Sequence, residues 1–314
     1  MTFVGSTQTP QGGVSAPYTA GLTARTPYLT VAEYQAAPTA MDTSNLIEGG
    51  SAGQQTAALA DTIARASSRA DMFCCGAEGS LSATLNTETG RPITDRAGRW
   101  LVKPRYWPVL EVRSFAVGSD PSSVVSVPLS PQTCWVEQHE FTVGGAYGLT
   151  TSQGPLQFGP VATPGSTGYA IWSYVNGWPN TALANAAAPA ATSVTVANPL
   201  GIYPGTTLTI YDAASTETVT VAAGYTPGAT AVPLVAPLVY GHPATTSVSA
   251  LPPAVKQAVI FLTTSLIKSR GDEALILDST GEPRSGTRPA DAADIDEATA
   301  FELLTPFQQV WGQR

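Results

Sequence analysis

The side chains that could do chemistry in this chain are few and scattered. Its 314 residues include two histidines, His139 and His242, and three cysteines. Two histidines exclude a multi-histidine metal cluster and leave at most two candidates for a Ser-His-Asp triad, and neither lies in a nucleophile-elbow sequence. The sequence also lacks H-E-x-x-H, a glycine-rich phosphate loop and C-x₂-C. We therefore expect a protein that is not an enzyme, with no catalytic residue, metal ligand or cofactor.

Other reactive residue types have structural explanations. Cys74 and Cys75 are adjacent, a spacing that makes poor disulfides, so we interpret them and Cys134 as reduced, partly buried thiols. The acidic run at 294–297 resembles a calcium loop but lacks the glycine and the bidentate glutamate at the required offsets. Negative charge at the positive end of a helix explains it better. A glycosidase-type carboxylate pair has no fixed sequence spacing, so that alternative stays open.

Composition indicates a globular protein with a sizeable core. The chain is 43% hydrophobic and 12% charged, and its net charge of −8 argues against nucleic acid as the main ligand. It does not exclude DNA that passes nearby. Because the N-terminus lacks a basic segment followed by an apolar one, and no run of 18 apolar residues occurs, we expect a protein made in the cytoplasm without membrane contact.

The clearest helix signal lies at 253–270, where two prolines suit the first turn and Gly271 suits the end. One apolar stripe consists of Val255, Val259, Leu262 and Leu266. Ile260, Phe261 and Ile267 point away from that stripe, so the helix needs apolar cover on a second side. A second layer or a neighbouring subunit could supply it, and these three residues are our candidates for a subunit interface.

Two capping boxes predict helices near the N-terminus. Thr30 with Glu33 begins a two-turn helix, and Ser51 with Gln54 begins a longer one that reaches about Phe73. The longer helix has one apolar face and is the predicted packing partner of the 253–270 helix.

Strand signals with a basic cluster follow. Residues 81–117 read as strands with a turn at 95–98, and six of the fifteen basic residues of the chain lie in 91–113. No Lys or Arg occurs in 114–255. The candidates for contact with an acidic partner or a DNA channel are Arg91, Arg96, Arg99, Lys103 and Arg105; a solvated face is the alternative.

Short alternating runs separated by turns in 181–250 predict an inserted small all-β domain, a barrel or a sandwich, whose only acidic residues are Asp212 and Glu217. Just before it, Trp172, Tyr174 and Trp178 could stack on a sugar, although aromatics on a strand are more often core or interface residues.

The complete prediction is an α+β fold. It comprises an extended N-terminal arm at 1–26, a helical core with β-hairpins at 27–180 plus 251–278, the β insertion, and a linker, short helix and docking arm at 279–314. Large apolar side chains on a terminal arm are typical of a docking site. The candidate partner contacts there are Phe301, Leu304, Phe307, Val310 and Trp311.

Five segments in this order resemble the head–tail connector (adaptor, head completion) proteins of long-tailed bacteriophages, especially those of actinobacterial hosts. The segments are YLTVAEYQAAPT, QQTAALADTIARASSRADMFC, PRYWPVLEVRSFAVG, ALPPAVKQAVIFLTTSLIKSRG and AFELLTPFQQV. They cover roughly 28–117 and 250–310, and the β insertion lies outside the common helical core of such adaptors.

The resemblance implies a structural virion protein at the neck of the particle. It would form a ring, expected to be a dodecamer, between the portal and a stopper or tail-completion protein, with DNA passing through the channel. The C-terminal arm would contact the portal, and we place the β insertion on the outer wall. The alternative is a carbohydrate-binding virion or surface module that uses the β insertion.

Overall fold

A computed structural model describes most of the chain and divides it into two compact units. The described residues are 26–39, 41–76, 78–95, 98–144, 150–151, 154–155, 167–212, 215–270 and 289–309. Thr84–Gly177 form one unit, and the described residues of the other lie in 26–83 and 178–309. The predicted N-terminal arm up to residue 25 and the linker at 279–288 lie outside the described residues.

This division differs from the predicted domains. The prediction joined 84–180 to the helices and set 181–250 apart, whereas the β segment 181–250 shares a unit with the helices. The physical reason lies in strand pairing, because the named strands of 84–177 form their sheets with one another.

The first unit consists of antiparallel strands. They are β1 (Thr84–Gly90), β2 (Ile93–Thr94), β3 (Trp100–Val102), β4 (Val109–Gly118), β5 (Val125–Ser126), β6 (Cys134–Val136), β7 (Phe141–Val143), β8 (Thr150–Thr151), β9 (Gly154–Pro155) and β10 (Tyr169–Asn176). Two four-stranded sheets have the orders β1-β10-β4-β5 and β2-β3-β7-β6, and β8 pairs with β9.

A chain of aromatic contacts joins these two sheets. Phe141 of β7 lies edge-on to Phe115 of β4 and to Trp172 of β10, with ring centroids 6.4 and 6.5 Å apart. All three side chains are buried. Gly90 permits this packing, because a Cβ atom there would come within 2.7 Å of the Trp172 ring.

The β segment of the second unit has a core of its own. Its strands are β11 (Asn180–Ala182), β12 (Ser193–Thr195), β13 (Thr207–Tyr211), β14 (Glu217–Thr220), β15 (Ala231–Pro233) and β16 (Ser247–Ser249), in the sheets β11-β16-β13-β14 and β12-β15. Alternate strand residues such as Leu208, Ile210 and Val248 point into one buried apolar cluster. Together with the helices, these sheets confirm the predicted α+β fold class.

Among the residues that the structure describes, four α-helices complete the second unit: α1 (Val31–Ala36), α2 (Ala52–Cys75), α3 (Pro253–Arg270) and α4 (Pro289–Leu304), the last followed by a 3₁₀ turn, Thr305–Phe307. Both predicted capping boxes are confirmed: the Thr30 and Ser51 side chains accept from the third helical N–H, and Glu33 and Gln54 accept from the capping residues.

Helix α3 packs against both α2 and α4. Three members of its predicted stripe, Val255, Val259 and Leu262, are fully buried. The Lys268 ammonium binds Asp296 of α4 at 2.6 Å, and Arg69 of α2 pairs with Glu297. Helix α4 of the same chain therefore supplies part of the apolar cover that α3 needs on its second side.

We predict that Leu304→Ala lowers the free energy of unfolding by about 2–5 kcal/mol, because it opens a cavity under α4. Leu304 is 0% exposed, whereas Ile295 on the same helix is 66% exposed. The matched variant Ile295→Ala should change stability by less than about 0.5 kcal/mol. Urea denaturation followed by circular dichroism measures both, and equal losses would contradict the packing of α4.

Candidate functional site

The predicted subunit-interface residues on α3 differ in exposure. Ile267 is only 7% exposed, because α3 packs between α2 and α4, so it is not available to a neighbouring subunit, contrary to the prediction. Ile260 and Phe261 are half-buried and keep part of their surface accessible. They remain the candidates for a contact between subunits.

The predicted C-terminal docking residues that the structure describes pack on the chain's own unit. Leu304 is fully buried, so its assignment as a partner contact is corrected. Phe301 stacks on Phe73 with centroids 4.5 Å apart, and Phe307 lies edge-on to Trp178 at 5.7 Å.

The segment beyond the 3₁₀ turn is also fixed to α2, because the Gln309 N–H donates to the Cys74 carbonyl at 2.7 Å. The C-terminal segment up to Gln309 therefore packs on a helix about 230 residues earlier in the chain. Val310 and Trp311 lie outside the described residues.

The turn predicted at 95–98 is present. Strands β2 and β3 pair with each other on either side of it, and the Gly98 N–H donates to the Asp95 carbonyl at 3.1 Å. Arg99 stabilises this turn: its Nε binds the Asp95 carboxylate at 2.8 Å, and its guanidinium lies 5.5 Å from the Trp135 ring centroid. The side chain therefore has a local structural role, and Arg96 lies outside the described residues.

Arg105 is also held within its unit. Its backbone N–H donates to the Glu88 carboxylate at 3.0 Å, and its guanidinium lies over the Tyr106 ring. Burial raises the pKa of Glu88, which also accepts a 2.5 Å bond from the Tyr174 hydroxyl. Arg91 and Lys103, by contrast, are exposed. These two are the basic candidates best placed to meet a partner.

The three aromatic residues considered for sugar stacking, Trp172, Tyr174 and Trp178, are core and packing residues. Trp172 and Tyr174 are buried in the first unit, and Trp178 is half-buried against Phe307 in the second. A sugar-binding platform needs exposed ring faces, so these residues do not form one.

A buried charge cluster in the β segment was not predicted. His242, whose side chain is fully buried, places Nδ1 3.2 Å from Asp212 and Nε2 2.8 Å from Glu217. Each ring nitrogen therefore has a carboxylate within hydrogen-bond distance. Glu217 also accepts from the N–H groups of Val239 and Tyr240 at 2.9 and 3.1 Å, which fixes that loop. The scarcity of charge in 181–250 was the only sequence signal for this cluster.

A second buried charge joins three elements of the second unit. The Lys256 ammonium of α3 binds Glu33 of α1 at 2.5 Å and lies 3.4 Å from the ring centroid of Tyr211 at the end of β13. Burial lowers the pKa of Lys256, and the Glu33 carboxylate opposes that shift. The same carboxylate accepts from the Thr30 N–H at 2.6 Å, so the helix cap and the ion pair share one group.

The Cys74 thiol is buried and is not a reactive surface group. Burial raises the pKa of Cys74 to about 12, so its thiol is not a nucleophile near neutral pH. In the described part of the chain, no cluster of three or more His, Cys, Asp or Glu side chains could hold a metal ion. No described helix combines the length and hydropathy needed to cross a bilayer.

Comparisons of the chain with family models, with curated proteins and with solved structures found no match.

We predict that Lys256→Met lowers the free energy of unfolding by about 3–5 kcal/mol, because Glu33 is left buried without its cation. The exposed i,i+4 pair Arg65–Asp61 provides the matched control. Arg65→Met should cost less than about 1 kcal/mol. Adding Glu33→Gln to Lys256→Met should restore part of the loss. Denaturant titration measures all three, and equal losses for the two single variants would refute a special role for Lys256.

We predict an acid-sensitive loop at residues 239–240. Burial alone would raise the pKa of Glu217, but the bonds from Val239, His242 and Tyr240 outweigh it and hold the pKa below its ordinary value of 4.5. Because the folded-state pKa is lowered, the stabilisation is present above that ordinary value and is lost as the pH falls through the lowered pKa.

Amide hydrogen exchange at Val239 and Tyr240 measures this effect. Protection should fall on acidification in the natural chain and be lower at every pH in Glu217→Gln. Glu302→Gln, which removes an exposed carboxylate on α4, should leave the profile unchanged. Protection that is independent of pH in the natural chain would contradict the prediction.

Proposed function

We propose that this chain is a structural virion protein of a long-tailed bacteriophage, a head-to-tail adaptor. Copies of it form a ring that joins the portal to the stopper or tail-completion protein and lets DNA pass through. The proposal assigns the chain no catalytic role. Its place is the neck of the virion.

One observation carries the proposal. Four of the five segments on which the resemblance rests lie far apart in the sequence, yet they form one unit: they contribute α1, α2, α3 and the end of α4 with its 3₁₀ turn. Cys74 of α2 contacts Leu304 of α4, 230 residues away, through a 3.7 Å bond from Sγ to the carbonyl. This arrangement supports a helical adaptor core assembled from those segments.

The candidate residues are proposed to have different roles in the ring, in keeping with their exposure. Ile260 and Phe261, both half-buried, are proposed to meet a neighbouring subunit. Arg91 and Lys103, both exposed, are proposed to face an acidic partner surface or the DNA.

The portal contact is proposed to combine the accessible parts of Phe301 and Phe307 with Val310 and Trp311. Because Gln309 is bonded to α2, the proposed docking element is shorter than the arm that the sequence predicted.

Mixing the full chain with the portal of the same phage tests the proposal. Size-exclusion chromatography with light scattering should show a complex whose mass fits a ring of copies on each portal. A portal that elutes without the chain, under conditions in which both are folded, contradicts it.

We predict that Arg91→Glu or Lys103→Glu weakens assembly on the portal, and more strongly at low than at high salt, because exposed charges are screened. Arg65→Glu, the same change at an exposed position of the other unit, should have a smaller effect. Titration of each variant against the portal at two ionic strengths measures this. Equal weakening by all three would point to net charge rather than to this surface.

A further inference from the structure

The β segment 181–250 presents almost no charge that is available to a partner. Its charged and histidine residues are Asp212, Glu217 and His242. His242 lies between the two carboxylates and contacts both, and the side chains of His242, Glu217 and Asp212 are 0%, 10% and 29% exposed. The rest of its surface is formed by neutral side chains, although the whole chain carries a net charge of −8.

On this neutral surface, one loop exposes large apolar side chains. Val235 and Val239 are 67% and 68% exposed, and Tyr240 is 45% exposed. Three such side chains within six residues form a patch of the kind found at interaction sites.

The loop is rigidly held. Leu238 is buried in the β core, its N–H donates to the Ala191 carbonyl at 2.9 Å, and its carbonyl accepts from the Ala190 N–H at 2.8 Å. The Glu217 carboxylate holds the next two N–H groups. A loop fixed in this way loses little conformational freedom on binding, which favours association.

The charge distribution selects among the possible partners. Nucleic acids and anionic membrane surfaces are bound by basic residues, and 114–255 contains none. Two copies of an acidic chain repel each other wherever their charged surfaces meet, but not where the contact surface is neutral. The central parts of interfaces between identical subunits are apolar, depleted in charge and enriched in tyrosine.

We infer that the loop 235–240 contacts the neutral surface of 181–250 in a second copy of the chain. In the proposed ring this would be a contact between neighbouring subunits, and to that extent the inference rests on the proposed function. A neutral contact has a distinctive property: its affinity should not fall as salt is added, since no charge attraction is screened.

Site-specific photo-crosslinking in the full chain tests this inference. A benzophenone amino acid replaces Val239, and the equally exposed Ile295 of α4 serves as the matched control. Irradiation of the concentrated chain, alone and with the portal, should give crosslinked dimers from position 239 whose partner peptides map to 181–250. Position 295 should give few or none. Crosslinks that map elsewhere, or a chain that stays monomeric under both conditions, overturn the inference.

Charge insertion gives a second readout. Val239→Asp should weaken self-association roughly tenfold or more, because the new carboxylate loses its hydration against an uncharged surface, and added salt should change that defect little. Hydrogen exchange confirms that the loop stays folded. Self-association unaffected by Val239→Asp contradicts the inference.

The two proposals fail separately. If Val239→Asp does not change the formation of rings on the portal, this inference is overturned, but the proposed adaptor function is not. If the 181–250 segments of two copies crosslink but the chain does not bind the portal, the proposed adaptor function is overturned, but this contact is not.

Discussion

The buried ammonium of Lys256 imposes the strictest constraint on the second unit. A cation with so little access to water is stable only if a carboxylate and an aromatic face surround it together. Glu33 comes from the N-terminal helix and Tyr211 from the β segment, while Lys256 itself lies on α3. Three parts of the sequence, separated by up to 223 residues, must therefore be in place at once.

The structural features that could be predicted from the sequence are those whose signal lies within a few neighbouring residues. The capping boxes at Thr30 and Ser51 fix where two helices begin, because the donor and acceptor lie three residues apart. The turn at 95–98 is equally local. The apolar stripe of α3 predicted a buried face but not the element that covers it. Whether α4 or another subunit covers that face depends on tertiary packing, which the apolar stripe does not specify.

The same reasoning explains the corrections. Ile267 and Leu304 looked available for partners because no nearby segment could cover them, and the elements that do so come from distant parts of the chain. Trp172 and Tyr174 lie on the same face of β10, as the residues of a binding row would, but that face is buried. The His242 cluster and the Lys256 pair depend on long-range contacts that no sequence spacing encodes.

The two buried charge clusters share a physical consequence. Each holds its charged groups against partners within the second unit, and the other acidic residues that contribute to the net charge of −8 lie outside 181–250. In the proposed ring such an arrangement would lower the repulsion between neighbouring copies, because that repulsion is weakest where uncharged surfaces meet.

The most direct test of the proposed adaptor function is electron cryo-microscopy of the chain mixed with the portal. We predict a closed ring coaxial with the portal channel, with Ile260 and Phe261 at the contact between adjacent copies. Separate copies that do not form a closed ring around the channel, or a portal with no density for this chain, would contradict the account.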